Sequence, residues 1–252
     1  MAAEPTTEFH KGEGGAQLAV HRLGAGRPVL LLHGLFSSAE VNWIKFGTAA
    51  KLAAAGFEAI MPDLRAHGQS AAPHDPEAYP ADVLVKDAMA LVHALNLTDY
   101  DLGGFSLGAR TAVRAVLAGL TPRRLVLGGM GLTGLSGWAR RSAHFINAID
   151  RFGTIPREDP AFLAQAFMKT QKTDRIATRL LLQSIDDTPA EALSAITMPT
   201  LVVCGAEDHD NGSAFELAKV LPDARYVEVQ GNHMSSVTKP EFGEAIVEFL
   251  KG

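Results

Sequence analysis

Two rhythms of apolar and polar positions run along this chain. Short strand-like segments recur at 18–23, 29–33, 57–62, 99–103, 125–129, 201–204 and 226–229. Several are unbroken apolar runs, such as Val29-Leu30-Leu31-Leu32, which suit strands buried on both faces. Between them, near 41–55, 80–94, 106–119, 213–221 and 241–250, apolar residues fall at helical spacing. The segment 6–10 is expected to pair with 18–23 across a glycine-rich turn at 12–15. This alternation predicts an α/β fold with a mostly parallel central sheet wrapped by helices.

The alternation breaks once. From 130 to 198 no segment reads as a strand, and amphipathic helices are expected near 137–152, 160–172, 173–185 and 189–196. The predicted organisation is therefore a core of 1–129 and 199–252 interrupted by a small helical cap at 130–198.

Composition narrows the function classes. With 252 residues, 47% of them hydrophobic, the chain can bury the core of one large domain. A net charge of −5 argues against a nucleic-acid surface. No apolar run reaches the ~20 residues of a membrane span, and the polar stretch 1–15 has no secretory pattern. The single Cys204 excludes an internal disulfide and suits a reducing, cytoplasmic compartment. No clustered Cys/His pairs suggest a metal.

The chemistry concentrates at Gly104-Phe105-Ser106-Leu107-Gly108, between a predicted strand and a predicted helix. This is the Gly-x-Ser-x-Gly pattern of a nucleophile elbow. The serine occupies a strained turn that lifts its hydroxyl clear of the sheet, and the glycines let strand and helix approach. Gly134-Leu135-Ser136 begins the same pattern, but Trp138 stands where the last glycine belongs. A serine nucleophile needs a base and an orienting acid, which follow such an elbow in the order acid, then histidine. Of the nine histidines, only His144, His209 and His233 follow Ser106. His144 lies in the insertion and His209 adjoins the acid candidates. His233, in the loop after the last strand, is the expected base. In Gly205-Ala206-Glu207-Asp208-His209-Asp210, Asp208 is the expected acid, with Asp210 and Glu207 as rivals. Backbone N–H groups of Leu35 and Leu107 are the expected oxyanion donors. His33 is expected to hold the loop before Leu35.

These landmarks, together with His33-Gly34 and Asp63-Leu64-Arg65-Ala66-His67-Gly68-Gln69-Ser70, resemble those of the α/β-hydrolase fold superfamily over nearly the whole chain. Ala66 stands where glycine is usual, and Asn232 separates Gly231 from His233. The resemblance implies a serine hydrolase acting on a small, largely apolar ester or lactone through an acyl-enzyme, without cofactor or metal. Carbon–carbon bond hydrolases, perhydrolases and slow-turnover receptors resemble it in the same residues. Serine rather than aspartate at the elbow argues against epoxide hydrolase or dehalogenase chemistry. Asp63 and His67 are expected to be structural. Phe36, Trp138, Phe145, Phe167 and Met234 are expected to line the pocket. Phe162 and Met168 could join them, although for most of Trp138, Phe145, Phe162, Phe167 and Met168 the helical spacing fits core packing better.

Overall fold

The computed structural model describes residues 4–252, so residues 1–3 of the predicted core lie outside it. One sheet is built from β1 (Thr6–Lys11), β2 (Gln17–Gly24), β3 (Arg27–Leu32), β4 (Phe57–Pro62), β5 (Asp101–Phe105), β6 (Leu125–Gly128), β7 (Thr200–Gly205) and β8 (Ala224–Val229). Its strand order is β1-β2-β4-β3-β5-β6-β7-β8. β1 pairs with β2, and β2 with β4, antiparallel. All other neighbours are parallel. The loops that follow β3, β5, β7 and β8 therefore leave the same edge of the sheet.

Period-two alternation sends the apolar runs to both faces. Leu30, Leu32, Leu102, Leu127 and Val202 join one core with residues of α2 (Val83–Ala94) and α3 (Leu107–Leu117). Val29, Leu31, Val126, Leu201 and Val203 join the other with α1 (Thr48–Ala54) and α9 (Pro240–Lys251). Truncating any of these buried leucines to alanine would cost about 2–5 kcal/mol. α8 (Ala214–Val220) completes the layer beside β7 and β8. No helix among the described residues is long and apolar enough to cross a membrane.

Three expectations for the segments before β6 need correction. The helix expected at 41–55 is two pieces. Glu40–Ile44 forms a wide turn closed by Lys45 N–H to Glu40 O, and Gly47 at φ 85° resets the chain before α1. The wide turn is where Asn42 and Trp43 are both buried. The helix expected at 80–94 begins at Val83, because Asp82 is left-handed at φ 55° with its carboxylate bound to Arg114. The strand expected at 99–103 begins at Asp101 and runs to Phe105. Thr98 and Asp99 are exposed, while pairing with β3 starts at Asp101.

Between β6 and β7 the described chain is helical: α4 (Leu132–Ser136), α5 (Trp138–Asp150), α6 (Phe162–Gln171), α7 (Arg175–Gln183) and a 3₁₀ segment, Ala190–Ala195. The helix expected at 137–152 is thus preceded by a separate short one, and that expected at 189–196 is 3₁₀.

Two buried histidines fasten the loops after β3 and β4. Leu64 N–H donates to His33 Nε2 at 2.9 Å, and Phe36 N–H donates to His67 Nε2 at 3.0 Å. Both rings must then carry their proton on Nδ1, which faces Gly34 O and Arg65 O respectively. Burial pushes His67 down to about 3 and lowers His33 as well. Burial opposes ionisation of Asp63, but bonds from His21, Gln69 and Ala39 hold it at about 2. Ala66 sits in this knot at φ 67°, a conformation that explains why glycine is usual there.

An unfolded His67 would take a proton near its ordinary 6.5, whereas the folded one refuses it until about 3. Stability present above pH 6.5 is therefore expected to fall as pH drops toward 3, by about 1.4 kcal/mol per pH unit per such histidine. Urea midpoints measured from neutral to mildly acidic pH check this. His67→Gln, which can still accept the Phe36 N–H, should flatten the slope. An equal slope in both proteins would contradict the assignment.

Candidate active site

Ser106 alone turns the chain from β5 into α3, at φ 52° and ψ −111°. A non-glycine residue there carries strain on the order of 1–3 kcal/mol, held by its surroundings. Ser106 N–H donates to Gly128 O at 2.8 Å. The flanking glycines are demanded by contact. A Cβ on Gly104 would meet Gly108 C at 2.2 Å, and one on Gly108 would meet Leu32 O at 2.0 Å.

Ser106, His233 and Asp208, from the loops after β5, β8 and β7, form one hydrogen-bonded chain. Ser106 Oγ lies 3.0 Å from His233 Nε2, and His233 Nδ1 lies 2.8 Å from Asp208 Oδ2. Burial would raise the Asp208 carboxyl, but the bond and charge of His233, with the Asp210 N–H on Oδ1, hold it below the usual range. An ionised Asp208 only accepts, so the proton sits on Nδ1 and Nε2 is free to receive the serine proton. The Phe105 ring packs 5.0 Å from the imidazole. Asp210 contributes its N–H to Asp208 and its carbonyl to Arg141, while Glu207 is exposed. Among the described residues, Asp208, Asp210 and His233 are the group whose ligand atoms, within 4.8 Å of one another, could hold a metal.

Leu35 and Leu107 stand at the same cavity wall as Ser106, and neither N–H has a partner among the described residues. Their neighbours are engaged: Gly34 N–H donates to Asn42 Oδ1 at 2.7 Å and Phe36 N–H to His67. Asn42 is a buried support that periodicity gave no reason to single out.

A cavity of about 920 Å³ opens over Ser106 and His233. Phe36, Trp138, Phe145, Phe167 and Met234 all line it, with Phe145 edge-on to Phe36 at 5.6 Å. Phe162 and Met168 do not, because α6 turns Leu163, Ala164 and Phe167 to the cavity and buries Met168 on the other side. Trp138 is both wall and core: its Nε1–H donates to Leu182 O, and the Arg110 guanidinium lies 4.9 Å from its ring centre. Arg110, one turn after Ser106, donates to the Gly134, Leu135 and Asp186 carbonyls and to Asp187 Oδ1. An arginine on the buried side of an apolar helix was the available sign of that role. His144 and Arg141 also line the cavity; His209 does not.

The profile of the family described as "Alpha/beta hydrolase family" matches residues 29–243. The chain belongs to the alpha/beta hydrolase family. This hydrolase is 27% identical over 235 residues to the AB hydrolase superfamily protein YisY of Bacillus subtilis, covering 84% of this chain and 85% of that protein. It is 36% identical over 110 residues to an epoxide hydrolase of Caballeronia sordidicola, covering 44% of this chain and 32% of that protein. In structure it is similar to the esterase EaEST of Exiguobacterium antarcticum, with TM-score 0.79 and 22% identity over 98% of this chain and all of that one.

The elbow contacts give a direct test. Gly108→Ala would force its Cβ against the Leu32 carbonyl, so the thermal midpoint of the hydrolase is expected to fall by about 5 °C or more. An unchanged midpoint would contradict the close approach.

Proposed function

We propose that this alpha/beta hydrolase cleaves small carboxylic esters or lactones through a serine acyl-enzyme. The observation that carries the reading is the continuous chain from Ser106 Oγ through His233 to Asp208, with bonds of 3.0 and 2.8 Å. His233 Nε2 takes the hydroxyl proton as Ser106 Oγ attacks the substrate carbonyl. Asp208 keeps the imidazole in the required tautomer and balances its charge once it is protonated. The free N–H groups of Leu35 and Leu107 receive the developing oxyanion. His233 then gives its proton to the leaving alkoxide. A water molecule that surrenders a proton to His233 attacks the acyl-serine, releasing the acid and regenerating Ser106.

The epoxide opening for which the Caballeronia relative is named does not suit a serine nucleophile. A nucleophile that opens an epoxide must afterwards be released by water. A carboxylate forms an ester that water can cleave at its carbonyl. A serine hydroxyl would form an ether with no carbonyl, and the enzyme would be alkylated permanently. Ser106 suits acyl chemistry instead.

The segment 130–198 acts as a cap in this reading. It contributes Trp138, Phe145, Leu163 and Phe167 to the cavity, so it shapes the acyl or alcohol group accepted. A fluorophosphonate is expected to label Ser106, and Ser106→Ala is expected to lower turnover of activated esters by about 10³-fold or more. Asp208→Asn should fold yet lose most turnover, while Asp210→Asn should be mild. Labelling of another serine, or the reverse order of the two asparagine variants, would contradict the assignment.

A further inference from the structure

The cavity wall is charged mainly in one sign. Lys45, Arg110, Arg140 and Arg141 line it, and Asp210 is the one carboxylate among its lining residues. This runs against the chain's net charge of −5. Arg110 is answered by Asp187 and three backbone carbonyls. Arg141 is not. Its guanidinium lies 5.5 Å from the Phe145 ring centre and, among the described residues, makes one hydrogen bond, from Nη1 to the Asp210 carbonyl. Among the described residues, no carboxylate oxygen lies within 4.0 Å of Lys45, Arg140 or Arg141.

Arg141 is also held partly out of water. Burial lowers its pKa, against the opposing pull of Asp210 and Asp208. Asp208 is committed to His233 and the Asp210 N–H. Of the five N–H donors in a guanidinium, the protein fills one here, and Arg141 is one of the residues that line the cavity. A planar fork with free donors, half desolvated beside an apolar ring, matches a carboxylate in shape and charge. The Asp210–Asp208–His233 contacts place this fork beside the triad rather than on the outer surface, while the exposed Arg140 and Lys45 extend the same charge outward.

We infer that the substrate carries a carboxylate of its own, remote from the scissile carbonyl, and that Arg141 receives it. The preferred substrates are then monoesters of dicarboxylic acids or lactones bearing an acid group. This rests on the ester-hydrolase reading above and adds the substrate class.

The test compares monomethyl succinate, glutarate and adipate with the methyl esters of butanoate, pentanoate and hexanoate. At least one monoester is expected to exceed its neutral counterpart in kcat/KM by about tenfold or more. That ratio should collapse toward one in Arg141→Met and in Arg141→Gln, and survive in part in Arg141→Lys. In Ser106→Ala protein the preferred monoester should raise the unfolding midpoint saturably, and adding Arg141→Met should abolish the shift. Neutral esters equal or better at every length would overturn the proposal while leaving the ester-hydrolase reading intact. No turnover of either series, with an Arg141-dependent midpoint shift, would overturn the ester reading and support the carboxylate site. Absence of both turnover and shift would overturn the two together.

Discussion

Everything at the centre of this molecule depends on how closely α3 approaches the sheet behind Ser106. Gly104, Gly108 and the Leu32 carbonyl leave no room for even one additional carbon. That approach fixes the turn at Ser106 in a conformation that serine alone would avoid. It also starts α3 at Leu107, whose N–H then has no helical partner and remains free. One turn later it brings Arg110 beneath the 130–198 segment, where its bonds to Gly134, Leu135 and Asp186 tie that segment to the elbow helix.

The second constraint is electrostatic. The loop that carries Leu35 is fastened by ring nitrogens that must stay unprotonated, on His33 and His67. In the proposed mechanism His233, by contrast, takes and returns the serine proton. The difference lies in what each ring faces. His33 and His67 are sealed in, and their acceptor nitrogens are filled by backbone N–H groups. His233 borders the cavity, with a carboxylate behind it and a hydroxyl in front. In that reading, identical side chains take different duties according to their burial and their partners.

Local features made most of this legible in the sequence. Buried strands announce themselves as apolar runs, and the elbow combines a pentapeptide with the strand and helix around it. Topology then brings residues named from loop position into one place, since parallel strands share a C-terminal edge. What periodicity could not supply is direction. In the 130–198 segment both faces of α6 carry apolar residues, so spacing alone left Phe162 open beside Phe167, although of the two only Phe167 meets the cavity. Asn42 lay inside a continuous helical pattern, and only the wide turn at Glu40–Ile44 buries it beneath Gly34. Nothing in the sequence singles out Arg141. That no carboxylate oxygen among the described residues comes within 4.0 Å of it is a property of the folded neighbourhood, which no spacing records.

The covalent step at Ser106 is the centre of the functional account. Rapid quenching of the enzyme early in a turnover of an activated ester, followed by peptide mass spectrometry, tests it most directly. The expected result is a transient increase equal to the acyl group on the peptide containing Ser106, decaying at the rate of turnover. Steady hydrolysis with no acyl adduct at any time, or an adduct on a different residue, would contradict it.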